Sequence, residues 1–303
     1  MKFDTTLLID GGLGRTITAI PALEKFVKKN PSTCIINYGW TPILFGNPIL
    51  TDRVFDSQTK GLFNRIKDSK IIKIEPYYNS DYINGRINLA DAFNQDINND
   101  KEKMPVPKIY LSEQELRNGK VVKKGINKTI AFQPFGSTAQ IKDDIVEDNT
   151  LRSLNRETTE AIVKFLKSEG YNIYLITDKM IPWLNKNDFV DYAAPFVREL
   201  SAAISHCDYL IGVDSSAQHI ARSYNIPGTI IVGGTNPVNI SYPDFFNLYN
   251  HDKNRTYMPY RITDFDFWLS EVQNANILNF DSKKIKDCVN NIKAHLRKHI
   301  KRA

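Results

Sequence analysis

The sequence predicts an α/β protein with two lobes, each built on a parallel β-sheet that is flanked by helices. The chain has 303 residues, which is the usual length of about two domains. Short apolar segments alternate with amphipathic ones along most of it, a pattern typical of strand–helix–strand units with parallel strands. In the second half, successive apolar segments end in small or polar residues, which favours a ligand site at the carboxyl edge of a sheet.

The first lobe begins with an apolar strand that runs into a glycine-rich turn at residues 11–14. Residues 76–107 are rich in Asn, Asp and Tyr, so we expect a long loop there that contains one helix. The predicted elements of this lobe are strands at 6–10, 34–38 and 71–74 and helices at 19–29 and 87–93.

The second lobe repeats the alternation after a proline-containing break and a basic connector at residues 120–128. Its predicted elements are strands at 129–133, 171–176, 209–213 and 229–232 and helices at 156–169, 198–206 and 217–224. The polar residues 138–150 are expected to form a mobile connection. We therefore place the first lobe at residues 1–125, the second at 126–280 and a separate basic amphipathic helix at 281–303.

That last segment carries essentially all of the net charge of +6, because residues 283–303 hold eight Lys and Arg against one acid, Asp287. A solvated helix face is the simpler interpretation, and contact with a polyanion, either a membrane surface or nucleic acid, is the functional one. The spacing of the apolar residues predicts that one stripe of this helix docks on the body. The stripe consists of Ile285, Val289, Ile292, Leu296 and Ile300.

Several classes of protein are disfavoured by composition. The three cysteines are far apart and lack CxxC spacing, so structural zinc and a disulfide framework are not expected. The apolar run at residues 7–9 is too short for a signal peptide, and the sequence contains no apolar stretch of membrane-spanning length. We therefore expect a cytoplasmic protein.

The segment from Asp214 to His219 carries the strongest functional signal. A buried strand delivers Asp214 to a sheet edge, and Ser215 and Ser216 then form the first turn of a helix. Free backbone N–H groups and the positive end of the helix dipole suit a diphosphate there, and both hydroxyls and His219 add hydrogen-bond donors. The alternative is an ordinary helix N-cap with a half-buried histidine.

This segment resembles the heptosyltransferase-like glycosyltransferases, family 9 of the GT-B superfamily. The resemblance is discontinuous and covers roughly residues 6–240. Further matches are the glycine-rich turn with Pro-Ala-Leu in the helix after it, the strand end at 133–137, and Arg152 followed by Leu154. The residues that match the family signature itself are Asp214, Ser215, Ser216, His219, Ala221, Gly234, Thr235 and Pro237.

The resemblance implies a GT-B fold with an N-terminal acceptor lobe, a C-terminal donor lobe and a last helix that crosses their junction. It also implies transfer of a sugar from a nucleotide diphosphate sugar, with inversion and without a metal ion or other cofactor. Arg152 would neutralise the leaving phosphate. The residues implied to bind the donor are Gly12, Gly14, Ser137, Arg152, Asp214, Ser215, Ser216, His219, Thr235 and Asn236.

The sequence departs from the family at one important position. The family's turn reads Gly-Asp, and that Asp is the proposed base for the acceptor hydroxyl, whereas here the pair is Gly14-Arg15. Arginine cannot act as a base at neutral pH. Asp10, Asp81 or Asp91 would then replace it, with Asp10 ranked first; otherwise the acceptor needs little help, or the chain binds without catalysing. Asp10 and Arg15 are the candidate catalytic residues, and Arg15 is either a phosphate contact or a surface helix residue.

Three rival functions remain open from the sequence. The resemblance favours a lipopolysaccharide-type saccharide as the acceptor, but a hydroxymethylated DNA base, as glycosylated by phage-type enzymes, is the alternative. A non-catalytic nucleotide-sugar-binding protein is another rival. A sugar-nucleotide epimerase is the third, although no GxGxxG follows the first strand. The Asp-Phe-Asp at 264–266 matches the metal motif of a different glycosyltransferase architecture, but its aromatic surroundings favour packing.

Overall fold

Two parallel sheets, one from each half of the chain, form the frame of the molecule. The computed structural model describes residues 2–148, 150–252, 257 and 278–300. The strands of the first half are β1 (Thr5–Ile9), β2 (Thr33–Asn37), β3 (Val54–Asp56) and β4 (Lys70–Lys73). Those of the second half are β5 (Thr129–Gln133), β6 (Gln140–Lys142), β7 (Ile145–Glu147), β8 (Asn172–Leu175), β9 (Tyr209–Val213), β10 (Gly228–Ile231) and β11 (Asn247–Tyr249).

The strand order is β3-β2-β1-β4 in the first sheet and β11-β10-β9-β5-β8 in the second, with β6 and β7 forming a separate hairpin. All pairings within the two main sheets are parallel. Parallel neighbours require crossover connections, which helices provide. Each strand predicted from the sequence is present, and its observed ends differ from the predicted ends by no more than one residue.

Helices connect the strands and cover both sheets. The α-helices are α1 (Leu13–Lys29), α2 (Leu62–Ile66), α3 (Ser80–Ile83), α4 (Leu89–Asn98), α5 (Glu113–Gly119), α6 (Arg156–Ser168), α7 (Val197–Ser205), α8 (Ser216–Ser223), α9 (Pro237–Ile240) and α10 (Ser282–His299). Short 3₁₀ segments lie at Thr41–Leu44, Pro76–Tyr78, Lys120–Val122 and Lys186–Asp188.

Helix α6 illustrates how the sequence sets these boundaries. The side chain of Asn155 accepts a hydrogen bond from the Thr158 backbone N–H, which satisfies a donor that the first turn leaves free. Its apolar stripe, with Ile162 and Leu166, is buried against the second sheet. Gly170 follows the helix in a left-handed conformation with φ of 81°, which a residue with a side chain adopts less readily.

One continuous hydrophobic cluster joins the two lobes. It includes Leu7 of β1 and Ile17 of α1 in the first lobe, and Ile204 of α7 and Ile220 of α8 in the second. These side chains are at most 1% exposed. Because separating the lobes would expose this apolar surface to water, burial holds the first helix of one lobe against two helices of the other.

The polar segment that we expected to be a mobile connection forms the hairpin of β6 and β7. The carboxylate of Asp148, which follows the hairpin, accepts hydrogen bonds from the hydroxyls of Thr138, Thr150 and Ser153 and from the Thr150 backbone N–H. Burial alone would raise the pKa of Asp148, but these hydrogen bonds outweigh it and keep the pKa below its usual value. The expected mobility is wrong because the Asp148 carboxylate ties residues on both sides of the hairpin together through these hydrogen bonds.

The last helix is confirmed, but its expected position across the junction is wrong for the described residues. Its buried side chains Cys288, Ile292 and Leu296 belong to the cluster formed by the second sheet and α6. The helix packs on α6, β10 and β11. The apolar stripe fits the outer face of the second sheet, which would otherwise face water, so α10 completes the second lobe rather than bridging the two.

The three cysteines are free thiols and buried, in agreement with a role as small apolar side chains. Burial raises the pKa of Cys34 to about 11 and that of Cys288 to about 12. Within the described part of the chain, the helices lack the length and apolar character that a membrane span requires.

Arg198 on α7 fastens the second lobe to the first. Its guanidinium donates to the carbonyl oxygens of Pro42, Phe45 and Tyr110 and pairs with both carboxylate oxygens of Glu115 on α5. The Arg198 hydrogen bond is the main cause that lowers the pKa of Glu115 to about 2. Helix α5, which the predicted boundary assigns to the first lobe, packs on α7 of the second lobe. The lobe boundary at residue 125 therefore stays a prediction.

We predict that Arg198→Ala lowers the free energy of unfolding by about 2–3 kcal/mol, since several carbonyls and a carboxylate lose their donor. Glu115 has a lowered pKa, so its contribution to stability is complete above its ordinary pKa of 4.5 and is lost as the pH falls towards about 2. The difference between wild type and variant in urea unfolding should therefore shrink between about pH 5 and pH 3. Arg117→Ala, which breaks an exposed pair with Glu113, is the matched control. An equal loss of stability in both variants would contradict this role.

Candidate active site

A cleft of about 550 Å³ lies between the lobes, where the carboxyl ends of both sheets face each other. This edge is where ligands bind in open parallel sheets. Of the predicted site residues, Asp10 is not among those that line the cleft. The predicted residues that do line it are Gly12, Gly14, Arg15, Ser137, Arg152, Asp214, Ser215, Ser216, His219, Thr235 and Asn236.

Helix α8 points its N-terminus into this cleft. Its N-cap, Ser215, has an extended backbone, and its side chain forms no capping hydrogen bond. Within the described residues, the hydroxyls of Ser215 and Ser216 have no hydrogen-bond partner, and the first turn contains no acidic residue to offset the dipole. The turn therefore offers backbone and hydroxyl donors to an anion. It is not the ordinary N-cap of the alternative interpretation, in which a side chain would already accept from these N–H groups.

Asp214 directly precedes this turn, and its carboxylate and carbonyl oxygens accept hydrogen bonds from neighbouring segments. One carboxylate oxygen accepts from the Gln218 side-chain amide at 3.1 Å, and the other accepts from the Thr235 hydroxyl at 2.7 Å. Arg152 lies 3.7 Å from the same carboxylate and donates to the Asp214 carbonyl oxygen at 3.2 Å. The carboxylate thus connects three segments that line the cleft.

The loop that carries Arg152 packs directly against the backbone of Gly233 and Gly234, and this close contact brings Arg152 to the cleft. A Cβ on Gly233 would lie 2.0 Å from the carbonyl oxygen of Leu151, and the N–H of Gly234 donates to that oxygen. Leu151 itself has φ of 54°, a conformation that costs energy for a bulky residue. This strained loop holds the Arg152 guanidinium between Thr150 and Asp214.

His219 is neutral and fixed in orientation. Its Nδ1 lies 2.9 Å from the hydroxyl of Tyr242, and burial lowers its pKa to about 4, although nearby Asp214 opposes this shift. Burial also raises the pKa of Tyr242, so the phenol keeps its proton. Among the described residues that hydroxyl has no other hydrogen-bond partner, so we infer that it donates to Nδ1 and that the ring proton lies on Nε2.

The N-terminus of α1 meets α8 at Gly14. A Cβ at this position would lie 2.8 Å from Cδ2 and 3.1 Å from Nε2 of His219. The first turn of α1, like that of α8, contains no acidic residue. Because the glycine has no side chain, two helix N-termini converge on one cleft, and their positive ends add.

Arg15 is buried, so its interpretation as a surface residue is wrong. Its guanidinium donates to the carbonyl oxygen of Ile74, forms ion pairs with Asp10 and Glu75 at 3.2 Å and 3.1 Å, and lies over the Tyr77 ring. Two carboxylates thus already balance its charge. The other role that we considered, contact with a phosphate, stays a prediction.

None of the three candidate bases lines the cleft. Asp10 pairs with Arg15 and lies 3.9 Å from Lys73. Asp81 pairs with Arg86, and Asp91 accepts a hydrogen bond from the Met104 backbone N–H. A catalytic role for Asp10 stays a prediction. The Asp-Phe-Asp at 264–266 lies outside the described residues.

Sequence reasoning missed two apolar walls of the cleft. One lies in the second lobe and contains Tyr174, Ile176, Tyr192, Phe196 and Leu200. The other lies in the first lobe and contains Trp40, Tyr77, Tyr82 and Leu89. Their only sequence signal was position: Trp40 and Tyr77 follow closely after predicted strand ends, as site residues of parallel sheets do.

No protein-family model matches the sequence, and no curated protein matches it. Solved structures match over nearly the whole chain. A family 9 glycosyltransferase from Veillonella parvula is 14% identical with a TM-score of 0.66, covering 97% of this chain and 99% of the other. The iron-containing dodecameric glycosyltransferase TibC of enterotoxigenic E. coli is 14% identical with a TM-score of 0.65 (98% and 81% covered). The ADP-heptose lipopolysaccharide heptosyltransferase II of E. coli is 10% identical with a TM-score of 0.56 (98% and 99% covered).

These similarities establish the fold. The chain has the two-lobed GT-B fold that family 9 glycosyltransferases and heptosyltransferases share, as the sequence resemblance predicted.

We predict that Gly14→Ala destabilises the protein by about 1–3 kcal/mol, because the new methyl group would push His219 or the lobe contact out of place. Gly12→Ala is the control, since a Cβ there has no atom within 4 Å. Thermal or urea unfolding without ligand measures both variants. Equal stability of the two would refute close packing at Gly14.

We also predict that Tyr242→Phe leaves His219 as a mixture of tautomers, because Nδ1 loses its donor. The ¹⁵N shifts of the imidazole in NMR spectra report this directly. Tyr224→Phe, which removes a partly buried hydroxyl that donates to the Ile109 carbonyl oxygen, should leave those shifts unchanged. An unaltered His219 spectrum in Tyr242→Phe would show that Tyr242 does not set the tautomer.

Proposed function

We propose that this chain is a glycosyltransferase that moves a sugar from a nucleotide diphosphate sugar to an acceptor hydroxyl. One observation carries the proposal: the N-termini of α1 and α8 converge on a single cleft between two parallel-sheet lobes. A diphosphate needs hydrogen-bond donors and positive charge, and here backbone groups, two serine hydroxyls and Arg152 supply them.

The donor fits the second lobe in the following arrangement. Its diphosphate would contact the first turn of α8, where Ser215 and Ser216 are free to donate, with Ser137, Thr235 and Asn236 beside it. Its base would pack on the apolar wall that includes Tyr192 and Leu200. The sugar would then extend towards His219 and Gly14, where the lobes meet.

The proposed reaction is a displacement at the anomeric carbon. The bond from that carbon to the diphosphate breaks, and the electron pair leaves with the phosphate oxygen. Fixed dipoles, the His219 Nε2–H and Arg152 would stabilise the charge that develops there, without a metal ion. The acceptor oxygen bonds to the opposite face, which inverts the configuration, and its proton passes to a base, for which Asp10 stays the candidate.

The structural neighbours suggest ADP-heptose as the first donor to try. One is a lipopolysaccharide heptosyltransferase that uses ADP-heptose, and TibC has been crystallised with ADP-D-β-D-heptose. By analogy, the acceptor would be a saccharide of the lipopolysaccharide type. The basic helix α10 does not contribute to the described cleft, so a polyanion bound there, membrane or DNA, would lie outside the proposed active site.

One observation favours a second candidate, a nucleotide-sugar-binding protein without catalysis. No carboxylate of the first lobe lines the cleft within the described residues, so an obvious base is lacking on the acceptor side. Transfer of the sugar, or hydrolysis of the donor, would exclude this candidate.

We predict that ADP-heptose, tested beside UDP-, GDP- and CMP-sugars, raises the melting temperature through selective binding to the folded state. Ser216→Ala should weaken the affinity about tenfold, because a hydrogen bond to a charged group is lost, and Asp214→Ala should abolish binding. Ser223→Ala, at the far end of the same helix and bonded to the Ile220 carbonyl, should bind normally in calorimetry. If none of the nucleotide sugars binds, the proposed function fails.

A further inference from the structure

The first-lobe side of the cleft is aromatic, and within the described residues its one charged side chain is ion-paired. Its side chains include Trp40, Tyr77, Tyr82 and Leu89. Arg15 is the one charged residue of this lobe in the described lining, and its guanidinium is 2% exposed and paired with Asp10 and Glu75. A charged ligand group at this wall would therefore lose water without gaining an ionic partner.

The wall is also held rigidly. The indole N–H of Trp40 donates to the Gly11 carbonyl oxygen at 3.1 Å, which fixes the ring beside the turn that begins α1. The Arg15 guanidinium lies 4.9 Å from the centre of the Tyr77 ring, and Tyr82 packs against the same ring at 5.6 Å. A preorganised aromatic surface binds a ring-shaped ligand at little cost in conformational entropy.

We propose that this wall is the acceptor subsite and that it selects an uncharged sugar ring rather than a phosphorylated or carboxylated one. The inference rests on the proposed function, because the donor would occupy the second lobe and the acceptor must approach from the first. The apolar C–H face of a hexose ring would pack on Trp40 and Tyr77, while its hydroxyls stay directed towards solvent and the anomeric carbon of the donor.

The aromatic side chains and the paired Arg15 of this wall disfavour two other acceptors, an anionic saccharide and a hydroxymethylated DNA base. In the described lining, Arg15 is the first lobe's one charged side chain and is already paired with Asp10 and Glu75. A phosphate or carboxylate at the wall would therefore have only the α1 N-terminus, and no unpaired Arg or Lys of this lobe, to stabilise its charge. A hydroxymethylated base in DNA could stack on aromatic rings, but its flanking phosphates would need cations near them. The charged residues of this wall do not provide them.

The test measures sugar binding without any donor. Saturation-transfer NMR compares methyl hexosides with the corresponding hexuronates and hexose 6-phosphates, and with an oligonucleotide that contains 5-hydroxymethylcytosine. We expect the neutral hexosides to bind, and the charged sugars and the oligonucleotide to bind at least about tenfold more weakly. Because this assay needs no nucleotide sugar, its failure is distinct from a failure of donor binding.

Variants of the wall complete the experiment. Trp40→Ala should lose hexoside binding and Trp40→Phe should retain most of it, since the ring rather than the indole N–H makes the contact. Tyr38→Ala is the matched control, because Tyr38 follows the same strand, is 67% exposed and does not line the cleft. Should Trp40→Ala fail to fold, Tyr77→Leu tests the same surface. Preferential binding of a charged sugar or of the oligonucleotide, absence of hexoside binding, or normal binding by folded Trp40→Ala or Tyr77→Leu would overturn the proposal.

Discussion

The contact between Gly14 and His219 is the constraint on which the rest of the site depends. The backbone of α1 comes so close to the imidazole that any side chain at residue 14 would overlap it. This closeness lets the N-termini of α1 and α8 open onto one cleft, where their partial charges add. The hydrophobic core shared by α1, α7 and α8 maintains the arrangement, so the convergence of the two helix N-termini is built into the fold.

Two buried carboxylates of the second lobe, Asp214 and Asp148, hold the segments around the cleft in place. Asp214 uses both oxygens to hold Thr235, Gln218 and Arg152 in place, which leaves the α8 N-terminus free for a ligand. Asp148 does the same for the hairpin that precedes Arg152. For Asp148 these hydrogen bonds keep the pKa below its usual value. Both carboxylates hold hydrogen-bond donors in position beside the cleft.

Local sequence patterns predicted seven of the described strands, most helices and the second-lobe half of the candidate site, because those features depend on periodicity and on residues that follow strand ends. The strands β3, β6, β7 and β11 were not predicted. Asp214, Ser215, Ser216 and His219 are adjacent in sequence and therefore visible as a motif. The walls containing Trp40 and Tyr192 were missed because side chains distant in sequence form them only after the lobes pack. The position of α10 was mistaken because an amphipathic stripe predicts that a helix docks, but not on which surface.

The sequence has Gly14-Arg15 where the resembled family has Gly-Asp. This difference involves more than residue 15, because Arg15 is paired with Asp10 and Glu75. Arg15 is 3% exposed, and Asp10 and Glu75 offset its charge, with Lys73 also 3.9 Å from Asp10. An aspartate at residue 15 would remove the buried guanidinium from between two carboxylates and add a third negative charge beside them, so the three would repel one another. The three residues therefore form one unit, and the charges around residue 15 are arranged differently from the Gly-Asp pattern of the resembled family.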